Sequence, residues 1–173
     1  MFRASCWRGI SQFSHITDGI SLNFAEQNAD RTTYRSGGDR RMTRLPEMRL
    51  LPLHAIAHGR AGDKGNVSNV SLVAYQPEAF PFLENHVTAD KVHKLYTHLG
   101  ASGVIRYDLP LISAFNFVIN DVLDGGVNAS RSIDRHGKTL SYILLSRFIT
   151  DIPTELIPKG SPYLNPDFCW QGF

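Results

Sequence analysis

The chain has 173 residues, of which 42% are hydrophobic and 20% charged, with a formal net charge of +2; this supports one domain with extra chain at its ends and enough apolar residues for a core. So small a charge implies neither a nucleic-acid nor an anionic-membrane partner, and no apolar run approaches the roughly 20 residues that span a bilayer. The two cysteines, Cys6 and Cys169, have no metal-type or redox-type spacing and support no disulfide framework.

Residues 1–47 are rich in Ser, Asn, Arg and Gly, including Arg-Ser-Gly-Gly-Asp-Arg-Arg at 35–41. No sustained period runs from 20 to 47, which predicts disorder there. Before it, Phe2, Cys6, Ile10 and Phe13 share a helical face, Arg3 and Arg8 add positive charge, and no acid precedes Asp18. This pattern is similar to a mitochondrial transit peptide. The alternative is an over-extended start, with translation beginning at Met42 or Met48. The second reading places the protein in the cytoplasm, the first in the mitochondrial matrix.

A core of residues 48–152 and a Pro-rich tail of 153–173 are expected next. Leu53–Ala57 reads as a strand, "HGRAGDKGN" at 58–66 as a loop, and Asn69–Tyr75 as a second strand. Thr88 suits an N-cap with Asp90 in the first turn. Val92, Leu95, Tyr96 and Leu99 then recur at i, i+3, i+4 and i+7, an amphipathic helix ending at Gly100. Val104–Leu109 and Ile112–Ile119 read as strands separated by Pro110, Gly125-Gly126 as a loop, and Ser130–Ile133 as a short strand. Asp134-Arg135-His136-Gly137 is a turn signature with glycine at a positive-φ position. Leu140, Ile143, Leu144 and Phe148 fit a helical stripe, with a strand as the other reading. One antiparallel or mixed sheet with helices on one face satisfies this order. Pro158, Pro162 and Pro166 make an extended tail, with Phe168, Trp170 and Phe173 as anchors.

The candidate chemistry lies at 58–66. Glycines let a ligand approach the main chain, and successive N–H groups can form an anion-binding concavity. Gly62 and Gly65 supply that freedom, Lys64 a point charge, and Arg60 a planar fork suited to carboxylate or phosphate. Asp63 can orient Lys64 or accept a ligand hydroxyl, and Asn66 and Asn69 supply amides. Neither the P-loop nor the Rossmann pattern is present. The plain alternative is a wide turn with a surface ion pair of Asp63 with Lys64 or Arg60, worth about 0–1 kcal/mol.

Asn116, inside the apolar run Ala114–Ile119, needs a partner, either a neighbouring backbone or a ligand. Asp121, Asp124, Gly125 and Gly126 form a second glycine-rich loop, which would frame a cleft with the first if both lie at one sheet end. Phe115 and Phe117 share a strand face and read as core, not as an RNA-stacking platform. His54 and His58 would stand about 13 Å apart along a strand, too far to share a metal, and His93 and His98 fall on roughly opposite helix faces. No metal site is expected. His58 is either a proton carrier or a solvent-facing residue at a strand end.

"IAHGRAGDKGNVSNVSLVAY", "TADKVHKLYTHL", "VIRYDLPLISAFNFVIND" and "LDGGVNASRSIDRHGKTL" together resemble the ferredoxin-fold domain of AtuA-type proteins of acyclic terpene utilisation, which also occurs as a separate small polypeptide. The likeness covers about residues 51–148. Arg60, Gly62, Asp63, Lys64, Gly65 and Asn69 match its first motif, Asn116 and Phe117 its Asn-Phe element, and Gly125, Gly126, Asp134, Gly137 and Lys138 its later elements. The resemblance implies an α+β ferredoxin-like sandwich, an antiparallel or mixed sheet of four or five strands with helices on one face. It also implies a setting in carboxylic-acid or acyl-CoA catabolism.

The leading expectation is an accessory subunit or small domain of an enzyme performing a hydratase- or lyase-type step. It would bind an anionic group at Arg60, Gly62, Asp63, Lys64, Gly65, Asn66, Asn69, Asn116, Gly125 and Gly126. No catalytic residue and no cofactor is assigned; a CoA ester or a carboxylate is the expected ligand. The alternative is a non-catalytic assembly module pairing with a large AtuA-type protein or with itself. No nucleic acid and no membrane partner is expected.

Overall fold

The computed structural model describes residues 46–168. The transit-like face, the expected disorder of 20–47 except its last two residues, and Cys6, Cys169, Trp170 and Phe173 lie outside the described residues. The elements run β1 (Met48–Pro52), β2 (Ala57–Lys64), β3 (Val67–Ala74), α1 (Phe80–His86), α2 (Ala89–Tyr96), β4 (Gly103–Leu109), β5 (Ala114–Asn120), α3 (Leu140–Arg147) and β6 (Ile149–Pro153). Strands β2-β3-β5-β4, in that order, form an antiparallel sheet, while β1 and β6 pair separately as an antiparallel ribbon. The architecture is α+β and ferredoxin-like.

The glycine-rich run at 58–66 is not a loop. Residues 57–64 are strand β2, and only Gly65-Asn66 turn the chain into β3. Its glycines fit that role. A Cβ at Gly59 would stand 2.4 Å from the Ser71 carbonyl oxygen, so the bare backbone is what lets β2 lie against β3 here. Leu53–Ala55, expected as a strand, is a 3-10 turn that buries Leu53 and Ala55. Ser130–Ile133 is not a strand either: it lies in a chain of turns at 121–139, where the Arg131 and Ser132 N–H groups bond the Asp124 carboxylate and the Ser130 hydroxyl and no neighbouring strand. Ribbon strands β1 and β6 escaped sequence reading because each ends in proline and pairs only with the other, about 100 residues away in the chain.

Alternation along the strands decides which face is covered. Ala57 and Ala61, then Val70 and Leu72, then Phe115, Phe117 and Ile119 point into the core. Helices cover that face with Leu83, with Val92 and Tyr96, and with Leu140, Leu144 and Leu145. The Thr88 hydroxyl caps α2 by accepting the Lys91 N–H at 3.4 Å, and Gly100 ends its last turn at φ 85°. Tyr96 donates its buried hydroxyl to the Leu140 carbonyl at 2.7 Å. Burial pushes that phenol far above its ordinary pKa.

Phe80 stacks on Phe115 with centroids 4.7 Å apart. Arg106 of β4 lies 5.2 Å from the Phe115 centroid, pairs with Asp108 at 2.8 Å, and donates to the Glu84 and Val87 carbonyls at the end of α1. It thus ties β4 to α1. Among the described residues no helix covers the other face of the sheet, where the register aligns Arg60, Ser71, Asn116 and Tyr107 in one row across four strands.

Candidate functional site

That row leads into an open cavity of about 460 Å³ at the β2 edge. Arg60, Gly62 and Lys64 of β2, Asn69 and Ser71 of β3, and Asn116 of β5 line it, together with Asp63 and Lys138. Cross-strand pairing places them. Arg60 faces Ser71, whose hydroxyl accepts the Arg60 N–H and donates to the Arg60 carbonyl, both at 3.2 Å; Gly62 faces Asn69. The side chains of Arg60, Lys64, Asn69 and Asn116 have no ion-pair or hydrogen-bond partner among the described residues.

Asp63 behaves differently. Its Oδ1 lies 3.1 Å from His136 Nδ1 and 3.9 Å from Lys138 Nζ. The hydrogen bond with His136, then one with its own backbone, and more weakly the nearby Lys138 ammonium hold the Asp63 carboxyl below the usual carboxylate range. His136 and Lys138 come from the turn at 134–139, which Asp134 organises. Its carboxylate accepts from the Lys138 N–H at 2.9 Å, the Thr139 N–H at 2.7 Å and the Thr139 hydroxyl at 2.6 Å. Burial raises the Asp134 carboxyl, but these hydrogen bonds outweigh it and the group sits below its ordinary pKa. The Lys138 amine thereby reaches over β2, 3.4 Å from where a Cβ at Gly62 would stand.

The expected site residues separate into two groups. Arg60, Gly62, Asp63, Lys64, Asn69 and Asn116 line the cavity. Gly65, Asn66, Gly125 and Gly126 are not among its lining; they lock the β2–β3 turn against the loop after β5. Asn66 donates to the Asp121 carboxylate at 2.9 Å and accepts the Gly125 N–H at 3.0 Å. A Cβ at Gly126, whose φ is +94°, would sit 3.1 Å from both the Gly65 carbonyl carbon and oxygen. The two glycine-rich segments do meet at one end of the sheet, backbone on backbone.

Sequence reading did not place Ser71, His136 or Lys138 at the site. Ser71 was findable, lying on the same strand face as Asn69. His136 and Lys138 enter from a turn more than 70 residues away, and no local signal brings them to β2. His58, read as either a proton carrier or a solvent-facing residue, is exposed and packs its ring 5.5 Å from Tyr75, outside the cavity lining. His54 shares a 3.2 Å hydrogen bond with the Tyr163 hydroxyl. The described residues contain no group of three or more His, Cys, Asp or Glu placed to hold a metal. No helix among them is long and apolar enough to cross a membrane.

A four-stranded antiparallel sheet, covered by helices on one face and bearing a cation-lined cavity at its edge, defines the class: a ferredoxin-like α+β domain whose polar groups converge outside the core. Residues 51–150 match the AtuA ferredoxin-like domain. This is more than half of the chain, which belongs to that family. No curated protein and no solved structure matches the chain significantly.

Proposed function

We propose that the cavity binds the carboxylate or phosphate of an organic acid or acyl-CoA, and that the chain is an accessory subunit or small domain of an enzyme acting on such compounds. The observation that carries this reading is the charge around the cavity. Three cations, Arg60, Lys64 and Lys138, line it against one carboxylate, Asp63, and that carboxylate is engaged by the 134–139 turn and not by Arg60 or Lys64. Two unpartnered amides, Asn69 and Asn116, add donors and acceptors beside them. A planar guanidinium, an ammonium and free amides suit an oxyanion. Hydration, dehydration or lyase chemistry develops charge on such an oxygen, so that reaction class is the first to assay in the assembled enzyme.

Calorimetric titration of the full chain with a dicarboxylate and with a CoA ester tests the reading. Arg60→Ala and Lys64→Ala should each weaken binding by about tenfold or more, as loss of a charge-assisted hydrogen bond does. Unchanged affinity in both variants would sink it.

A second reading, assembly with a large AtuA-type protein or with itself, is favoured by a different observation. Ile105, Tyr107 and Leu109 of β4, with Leu111 and Ile112 beyond it, are exposed side by side on the chain, Leu111 completely. Such a strip is commonly a contact surface. Both readings hold together in a subunit that completes a partner's site.

A further inference from the structure

The anion-site reading leaves one group unexplained, an imidazole outside the cavity bonded to a carboxylate inside it. His136 and Lys138 share a single oxygen, Asp63 Oδ1, at 3.1 and 3.9 Å. Of the two, only Lys138 lines the cavity. The side chains of both are 57% exposed, so each is free to change partner. The charged groups around His136 are Asp63 from β2 and, from its own turn, Asp134, Arg135 and Lys138. Asp134 is committed to three hydrogen bonds in the turn before α3. Asp63, hydrogen-bonded to His136 and lining the cavity, is therefore the carboxylate through which the charge on His136 reaches the site.

Two states follow. With a neutral imidazole, the Lys138 ammonium is the countercharge nearest Asp63 and is held at the cavity wall. With an imidazolium, Asp63 already has a full ion pair, Lys138 is released toward the cavity, and the cluster gains one positive charge. We propose that anion binding in this cavity is regulated by the charge on His136, acting through Asp63 and Lys138, so that the site takes its ligand more tightly when that imidazole is protonated. The inference rests on the anion-site reading above. His136 is a positioning residue here, since it does not line the cavity.

Sulfate is a suitable probe because it stays doubly charged across the window, whereas phosphate itself titrates. Its affinity for the full chain is measured at about pH 8.5 and about pH 5.5, where histidines are ordinarily neutral and charged. Wild type should bind about threefold to tenfold tighter at the lower pH, the range expected of one added charge at a partly screened surface. His136→Gln retains a hydrogen-bond donor for Asp63 without the charge, and it should show one affinity at both pH values, close to the wild-type value at pH 8.5. Asp63→Asn should bind tightly at both. His58→Gln, near Arg60 on the same strand, should keep the wild-type ratio.

A wild-type ratio near one overturns the proposal, as does a full ratio retained by His136→Gln or a ratio lost in His58→Gln. Absence of sulfate binding at either pH, with no binding of dicarboxylate or CoA ester, overturns the anion site itself. Binding that Arg60→Ala weakens but pH does not change removes only the regulation.

Discussion

The two halves of the open sheet face share one strand register and carry opposite chemistry. On the β2–β3 side the outward positions are Arg60, Lys64, Asn69 and Ser71; on β4 they are Ile105, Tyr107 and Leu109. The polar half is concave and gains Lys138 from a distant turn, while the apolar half is bare and runs on into the exposed Leu111-Ile112 turn. Neither set holds the fold together. A solvated, unpaired surface cation contributes little to stability, and an exposed leucine forfeits the burial that would. What holds each half lies beneath it: close backbone packing and the Asn66 clamp on one side, Arg106 over Phe115 on the other. Stability and binding should therefore respond to different residues, and the sharpest tests are those that separate the two.

The largest effect is expected where backbone meets backbone. Gly59→Ala places a methyl 2.4 Å from the Ser71 carbonyl oxygen, which β2 cannot accommodate without shifting from β3. Overpacking of this kind costs about 1–3 kcal/mol, and the absence of a flexible side chain to yield puts this case at the upper end. Chemical denaturation measures it. A loss within about 0.5 kcal/mol would mean that β2 slides freely, and that the cavity wall is not rigidly placed.

Next comes the clamp. Asn66→Ala removes the bond to Asp121 and the acceptor for the Gly125 N–H, an expected loss of about 1–2 kcal/mol at about 0.5–1.5 kcal/mol per hydrogen bond. Asn66 does not line the cavity, so sulfate affinity should change less than twofold once the variant is folded. If affinity collapses while stability holds, Asn66 belongs to the binding half after all.

Acid stability gives a smaller effect of definite sign. The Asp63 and Asp134 carboxyls lie below their ordinary values in the fold. A group depressed in this way contributes stability above its unfolded pKa, about 4, and that contribution is lost as pH falls through the folded value. Asp134→Asn should therefore cost up to about 1 kcal/mol at neutral pH, in the range of one weakened hydrogen bond at an exposed turn, and the difference from wild type should shrink below about pH 4. Equal acid slopes in both proteins would place the pH dependence elsewhere.

How much of this was legible in the sequence follows from range. The helix from Ala89 was readable because its cap, its apolar spacing and its terminating glycine all lie within a dozen residues. The turn at 134–137 was readable for the same reason. The 58–66 segment was misread because three glycines imitate a loop, whereas Gly59 is required by a contact with Ser71, a residue that the hairpin alone brings opposite. The site was half legible: Arg60, Lys64 and Asn69 come from one hairpin. His136 and Lys138 reach it only because Asp134 organises the turn that precedes α3, and because α3 packs on β2. Those are tertiary facts.

The apolar half calls for the double substitution Leu111→Glu with Ile112→Glu. Leu111 is fully exposed and Ile112 is 64% exposed, so unfolding stability should move by less than about 0.5 kcal/mol, and sulfate affinity should not move at all. What should change is association. If β4 and its turn are a contact surface, wild type will show concentration-dependent sedimentation, or will co-sediment with its larger partner, and the charged pair will not, because two buried carboxylates without countercharges disfavour an apolar interface. A destabilisation above about 1 kcal/mol would instead show that these side chains are covered within the folded monomer. The β4 half would then belong to the core, and the division of the sheet face into a binding half and a docking half would fail.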